Sequence, residues 1–156
     1  MKTLSGYELQ EIFNNLGISY SAVTLTDSKY TLPSFSWISR TFKKRIYNLL
    51  KTEKILEYAK NRNDCEDLAF IAYGEIRKLN AKTLKKRKIN AGISACVLFY
   101  NRDVDQVNHA VIGFLTLHRD KYKLIIIDRK IWKNKISLEA KELSETELNS
   151  CSFCVV

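Results

Sequence analysis

Cys65, His109 and Asp128 are three residues of this 156-residue chain whose types could together perform nucleophilic catalysis, at spacings of 44 and 19 residues. A cysteine attacks as its thiolate, and a helix N-terminus favours that form through its oriented backbone N–H groups. The sequence after Cys65 predicts such a helix, so the thiol would sit where its pKa falls and where a backbone N–H could meet a developing oxyanion. A neutral imidazole can take the thiol proton and return it to a leaving group. A carboxylate then orients that imidazole by accepting its other N–H. Each residue alone has an ordinary structural reading: a cysteine near a helix start, a satisfied strand histidine, an aspartate opening a turn. The joint order is what points to chemistry. His118, the other histidine, falls in a turn and reads as solvated.

These side chains need elements to carry them. Ser5 to Leu16 reads as a helix with Ser5 as cap and Gly17 as stop. Ile18 to Ser36, which holds the only proline, Pro33, reads as loop with one strand. From Ser36, taken as N-cap, to Asn61 an apolar stripe (Ile38, Phe42, Ile46, Leu50) predicts helix, with a break near Lys51-Thr52. After a turn over Asn61 to Asp64, Cys65 opens a helix to Leu79 whose buried side holds Leu68, Ala69, Ala72 and Ile76. The basic segment that follows, to Asn90, reads as loop.

The remainder is strand-like. Ile93 to Tyr100, Val107 to Leu117 and Tyr122 to Ile127 are apolar runs, the last two joined by a hairpin at His118 to Lys121. In that hairpin His109 would lie opposite residue 130, which leaves Asp128 two positions away and within side-chain reach. After Trp132 the chain reads as a tail of irregular structure or short helix. The order is α+β: helices first, then an antiparallel sheet. We read residues 1–156 as a single domain, with a helical part over 1–60, a core over 61–132 and a tail over 133–156.

Composition limits the alternatives. The chain is 46% hydrophobic and 28% charged, which excludes a disordered, collagen-like or coiled-coil protein. No apolar run approaches the roughly 20 residues of a membrane span. The net charge of +9 has a local source, the basic residues between Arg77 and Lys88. That 77–88 segment could meet an anionic partner. Cys96 reads as a buried thiol, and Cys151 and Cys154 form a lone C-x-x-C short of the ligands a zinc site needs. No secretory signal is visible, so the cytosol is the default expectation, with the periplasm or a virion as alternatives.

The stretch Asn63-Asp64-Cys65-Glu66-Asp67-Leu68-Ala69 resembles the nucleophile motif D-C-E-D-[YF]-A of the bacterial transglutaminase-like cysteine proteinases. The likeness continues through Asn108-His109-Ala110-Val111 and Ile126-Ile127-Asp128, and covers about residues 60 to 130. Leu68 departs from the family's aromatic, and the leader of periplasmic members is missing.

The resemblance implies a papain/transglutaminase-like fold with the nucleophile helix packed on the sheet. It also implies Cys65 as nucleophile, His109 as base and acid, Asp128 as orienting group, and a protein or peptide substrate. No cofactor is required, although adhesin-cleaving members hold calcium on acids flanking the cysteine, here Asp64 and Glu66. The plainer alternative is that Asp64 caps the helix while Glu66 favours its dipole. Gln106 and Asn108 stand beside His109 as amide donors for an oxyanion. The expected function is a cysteine peptidase working through a thioester. Amidase, deamidase or transglutaminase action through the same triad is the alternative, as are an intracellular effector and a non-catalytic basic binding module.

Overall fold

The computed structural model describes residues 2–56, 65–87, 91–132 and 135–156. Its frame is a six-stranded sheet in the order β2-β9-β5-β6-β7-β8. The strands are β2 (Val23–Thr24), β5 (Ala95–Asn101), β6 (Asn108–His118), β7 (Lys121–Trp132), β8 (Lys135–Glu142) and β9 (Phe153–Val155). All neighbours are antiparallel except β2 with β9. A small second sheet joins β1 (Thr3–Ser5), β3 (Lys29–Thr31) and β4 (Gly92–Ile93). The fold is α+β, as its residues predict.

Alternation along the central strands explains their unbroken apolar runs. Val111, Leu115, Leu124 and Ile126 enter one core with Leu9 and Phe13 of helix α1 (Gly6–Asn15). Their neighbours Ile112, Phe114, Ile125 and Ile127 enter a second core with Ile46 and Leu50 of α2 (Lys43–Thr52). Ala72 and Ile76 of α3 (Cys65–Arg87) join that second core. A sheet covered on both faces has little use for polar residues in its middle strands.

Helix α1 begins as its sequence predicts, with a capping box in which Ser5 and Glu8 bond each other's backbone N–H. Gly17, at φ +97°, leads the chain away beside Asn149, whose side chain leaves no space for a Cβ. The second helix departs from expectation at its start. Ser34, not Ser36, receives the Trp37 N–H at 3.2 Å, and a π-helical stretch (Trp37–Phe42) precedes α2. It ends at Thr52, at the predicted break, but Glu53 to Leu56 form a turn and coil instead of the further helix expected to Asn61, whose remainder lies outside the described residues.

Two further expectations are corrected. The basic segment is not a loop, because α3 runs unbroken from Cys65 to Arg87. Between Glu75 and Arg87 there is no glycine or proline, and Lys, Arg, Leu and Ala are good helix formers. The stretch after residue 132 is not an irregular tail either. It forms β8, then the capped helix α4 (Glu145–Asn149), then β9, which inserts between β2 and β5. Ile136, Leu138 and Ala140 alternate with polar residues, the mark of a half-buried strand. The run expected from Ile93 to Tyr100 is split at Ser94. Ser94 passes the chain from one sheet to the other, its N–H donating to Thr31 O and its carbonyl accepting from Leu115 N.

Candidate active site

Cys65 is the first residue of α3, with Glu66 and Asp67 in the same turn. The helix lies against β5 and β6, where Ala69 packs with Val97 and Ala110. Small residues at 69 and 110 bring the start of α3 close to the start of β6. His109 is the second residue of that strand and pairs across to Tyr100 of β5.

The β6–β7 hairpin turns at Arg119 and Asp120 in the register its sequence predicts, with His118 opposite Lys121. The ladder stops at Ile112 opposite Ile127, and beyond it the two strands part. His109 and Asp128 reach across that opening: the imidazole Nε2–H donates to Asp128 Oδ1 at 2.9 Å. Nδ1 is then the ring nitrogen left for the thiol, and a side-chain hydrogen bond joins Cys65 to His109. The three residues singled out from sequence thus meet at one place.

The electrostatics favour charge on this group. Burial works against an imidazolium at His109, but its hydrogen bonds to Asp128 and Cys65, with their charges, outweigh it and raise its pKa to about 9. Burial likewise works against the Asp128 carboxylate, and the bond and charge of His109 outweigh it, so that Asp128 stays below its ordinary value. Asp128 Oδ1 also accepts the Arg129 backbone N–H at 2.7 Å, and Lys141 Nζ lies 3.9 Å from Oδ2. A carboxylate held by three partners stays ionised beside a half-buried imidazole. At neutral pH His109 is therefore an imidazolium beside Cys65, a charge that favours the thiolate.

Tyr100 completes the wall around His109. Its ring meets the imidazole edge to face at a centroid distance of 5.9 Å, and burial keeps its phenol neutral, far above its usual range. Among the described residues the phenol oxygen has no hydrogen-bond partner. Neither Tyr100 nor Lys141 stood out in the sequence. Tyr100 lay inside an apolar run, and Lys141 lay in the stretch read as a tail, although the alternation around it was a usable signal.

A cavity of about 470 Å³ opens on the three residues. Arg102, Asn108 and Arg129 share its lining with Cys65, His109 and Asp128, while α2, the rest of α3 and β8 supply apolar side chains. Of the two amides expected near an oxyanion, Asn108 lines the cavity. Gln106 does not: at φ 55° it turns into its own loop, with Nε2 directed to Asp103 O at 3.4 Å. His118 is exposed in the hairpin, beside the Phe35 ring.

The flanking acids divide. Asp64 lies outside the described residues, and Glu66 is exposed on the first turn of α3. Among the described residues no group of three or more His, Cys, Asp or Glu is arranged to hold a metal. Cys96 and Cys151 are buried free thiols, and burial pushes Cys151 up to about 12. Arg77, at the head of the basic segment, is held by Asp27 at 2.6 Å. No helix among the described residues is long and apolar enough to cross a membrane.

No protein-family model matches the chain, and no curated protein matches it. Among solved structures, a chain described as a PSL1a-E64 complex has a similar fold, with a TM-score of 0.60 and 12% sequence identity. The match covers 99% of this chain and half of the other. At that identity the likeness speaks for the fold.

Proposed function

We propose that this chain is a thiol hydrolase that cleaves peptide bonds through a thioester on Cys65, as a member of the transglutaminase-like cysteine proteinases. One arrangement carries the reading: a cysteine opening a helix is bonded to a half-buried histidine, which is bonded in turn to a buried carboxylate. That is the relation of nucleophile, base and orienting group, independent of fold.

The thiolate electron pair adds to the substrate carbonyl carbon, and the carbonyl pair moves onto oxygen. Backbone N–H groups at the start of α3 and the Asn108 amide are the donors within the cavity for that oxyanion. Collapse breaks the C–N bond; the leaving amine takes the His109 proton, and the acyl group stays on Sγ. Water, giving its proton to His109, then releases the acid and restores the thiolate–imidazolium pair. Asp128 holds the ring so that Nδ1 faces the thiol throughout. Transfer to an amine would share every step up to the thioester.

The test is the pH dependence of Cys65 alkylation by iodoacetamide, read by mass spectrometry, in the wild type and His109→Ala. Rapid alkylation near pH 6 that slows when His109 is removed supports the reading. A Cys65 that titrates near the ordinary value of about 8.5 in both proteins overturns it. The 77–88 basic segment, as a binding surface for an anionic partner, would then be the reading to pursue.

A further inference from the structure

We infer that the acyl side of the substrate carries an aliphatic group of several carbons, which the cavity beside Cys65 takes up in preference to a polar side chain. This rests on the proposed acyl transfer and adds the substrate class to it. The polar part of the lining comes from Arg102, Asn108 and Arg129 together with Cys65, His109 and Asp128. The wall supplied by α2, by α3 beyond Cys65 and by β8 is wholly aliphatic, with Ile46, Leu50, Leu68, Ala72 and Leu138. Ile112 and Ile127 form its floor from the central sheet, and both are buried.

A volume of about 470 Å³ is in the range of sites that enclose small ligands. A glutamine side chain entering it would give up hydration and find no donor or acceptor on that wall, a net cost. A branched or straight aliphatic group would gain with each carbon placed there. The cavity therefore selects for peptide-bond donors with aliphatic side chains over those with polar ones.

The experiment measures acylation of the intact protein by p-nitrophenyl acetate, butyrate and hexanoate, each rate divided by that of glutathione with the same ester. The p-nitrophenyl ester of succinamic acid, which ends in a carboxamide, is the polar comparator. Iodoacetamide alkylation of Cys65 is measured in parallel. The expected result is a rise of about fourfold per added methylene, with the carboxamide ester no faster than acetate. Leu138→Trp, which fills the cavity from β8, should flatten the series; Leu68→Gln serves the same purpose should that variant not fold. A flat series, or a carboxamide ester that reacts as fast as butyrate, with Cys65 still rapidly alkylated, overturns the aliphatic preference and leaves the proposed hydrolase standing. Slow alkylation and no acylation by any ester overturns both.

Discussion

At the scale of single residues, the candidate site depends on which proton sits where. His109 carries its charge up to about pH 9 because Asp128 and Cys65 outweigh its burial. Two consequences follow for pH. First, the imidazolium that must protonate the leaving amine is lost above that value. Turnover of any substrate should therefore fall along an alkaline limb near pH 9, measurable as kcat/KM against pH. Second, a pKa raised on folding stabilises the native state fully below the unfolded value of about 6.5 and ceases to do so as pH rises through about 9. Asp128, lowered on folding, acts in the opposite direction and loses its contribution as pH falls through the acid range. The melting temperature of the wild type should thus decline between pH 6.5 and 9 more than that of His109→Ala. Asp128→Asn should fold, since one oxygen remains to accept from Nε2 or from Arg129 N, yet lose about 10²- to 10⁴-fold in rate as the ring loses its charge partner and tautomer. Equal melting curves with unchanged kcat/KM would remove Asp128 from the site.

At the scale of elements, legibility followed the strength of local signals. The hairpin register was readable because a short turn fixes every pair in the strands behind it, and the apolar runs allowed no one-residue slip. Cys65 at a helix start was readable from the stripe that follows it. The extension of α3 through the basic stretch runs against its charge density, which reads as loop; the absence of glycine and proline from Glu75 to Arg87 decides instead. The β8–α4–β9 segment was misjudged because acidic and lysine residues masked an alternation of Ile136, Leu138 and Ala140. The split at Ser94 had no local signal at all, since it is set by Thr31 and Leu115, far away in sequence. The hairpin itself carries a testable cost. Arg119 and Asp120 both adopt positive φ, 49° and 62°, where a side chain is disfavoured. Replacing the pair by Asn-Gly should stabilise the protein by about 1 kcal/mol, a rise of roughly 2–4 °C in Tm. An unchanged or lower Tm would mean that the two side chains make compensating contacts.

At the scale of the whole molecule, the site exists because one sheet is covered on both faces and frays at one end. Its middle strands pack α1 on one side and α2 and α3 on the other, so the sheet is rigid where β5, β6 and β7 are fully laddered. Where β6 and β7 part, the same rigidity holds His109 and Asp128 at the mouth of the cavity, and α3 brings Cys65 to them. The frame is closed on one side by β9 and β2. β9 pairs with β5 on one side and β2 on the other, Val156 O accepts the Thr26 N–H at 2.9 Å, and Val156 is buried in the core shared with α1. Removing residues 151–156 would strip β5 of a neighbour at Val97, Leu98 and Phe99 and leave an apolar strand with an open edge. The truncated chain should melt at a lower temperature and self-associate, seen by calorimetry and light scattering. Its Cys65, if the protein remains folded, should keep the wild-type pH profile of alkylation, because His109 is held by Asp128 and Cys65, and Asp128 in turn by Arg129 N and Lys141. A profile that moves to the ordinary thiol value in a folded truncation would show that the last strand, and not the β6–β7 hairpin with α3, sets the geometry of the site.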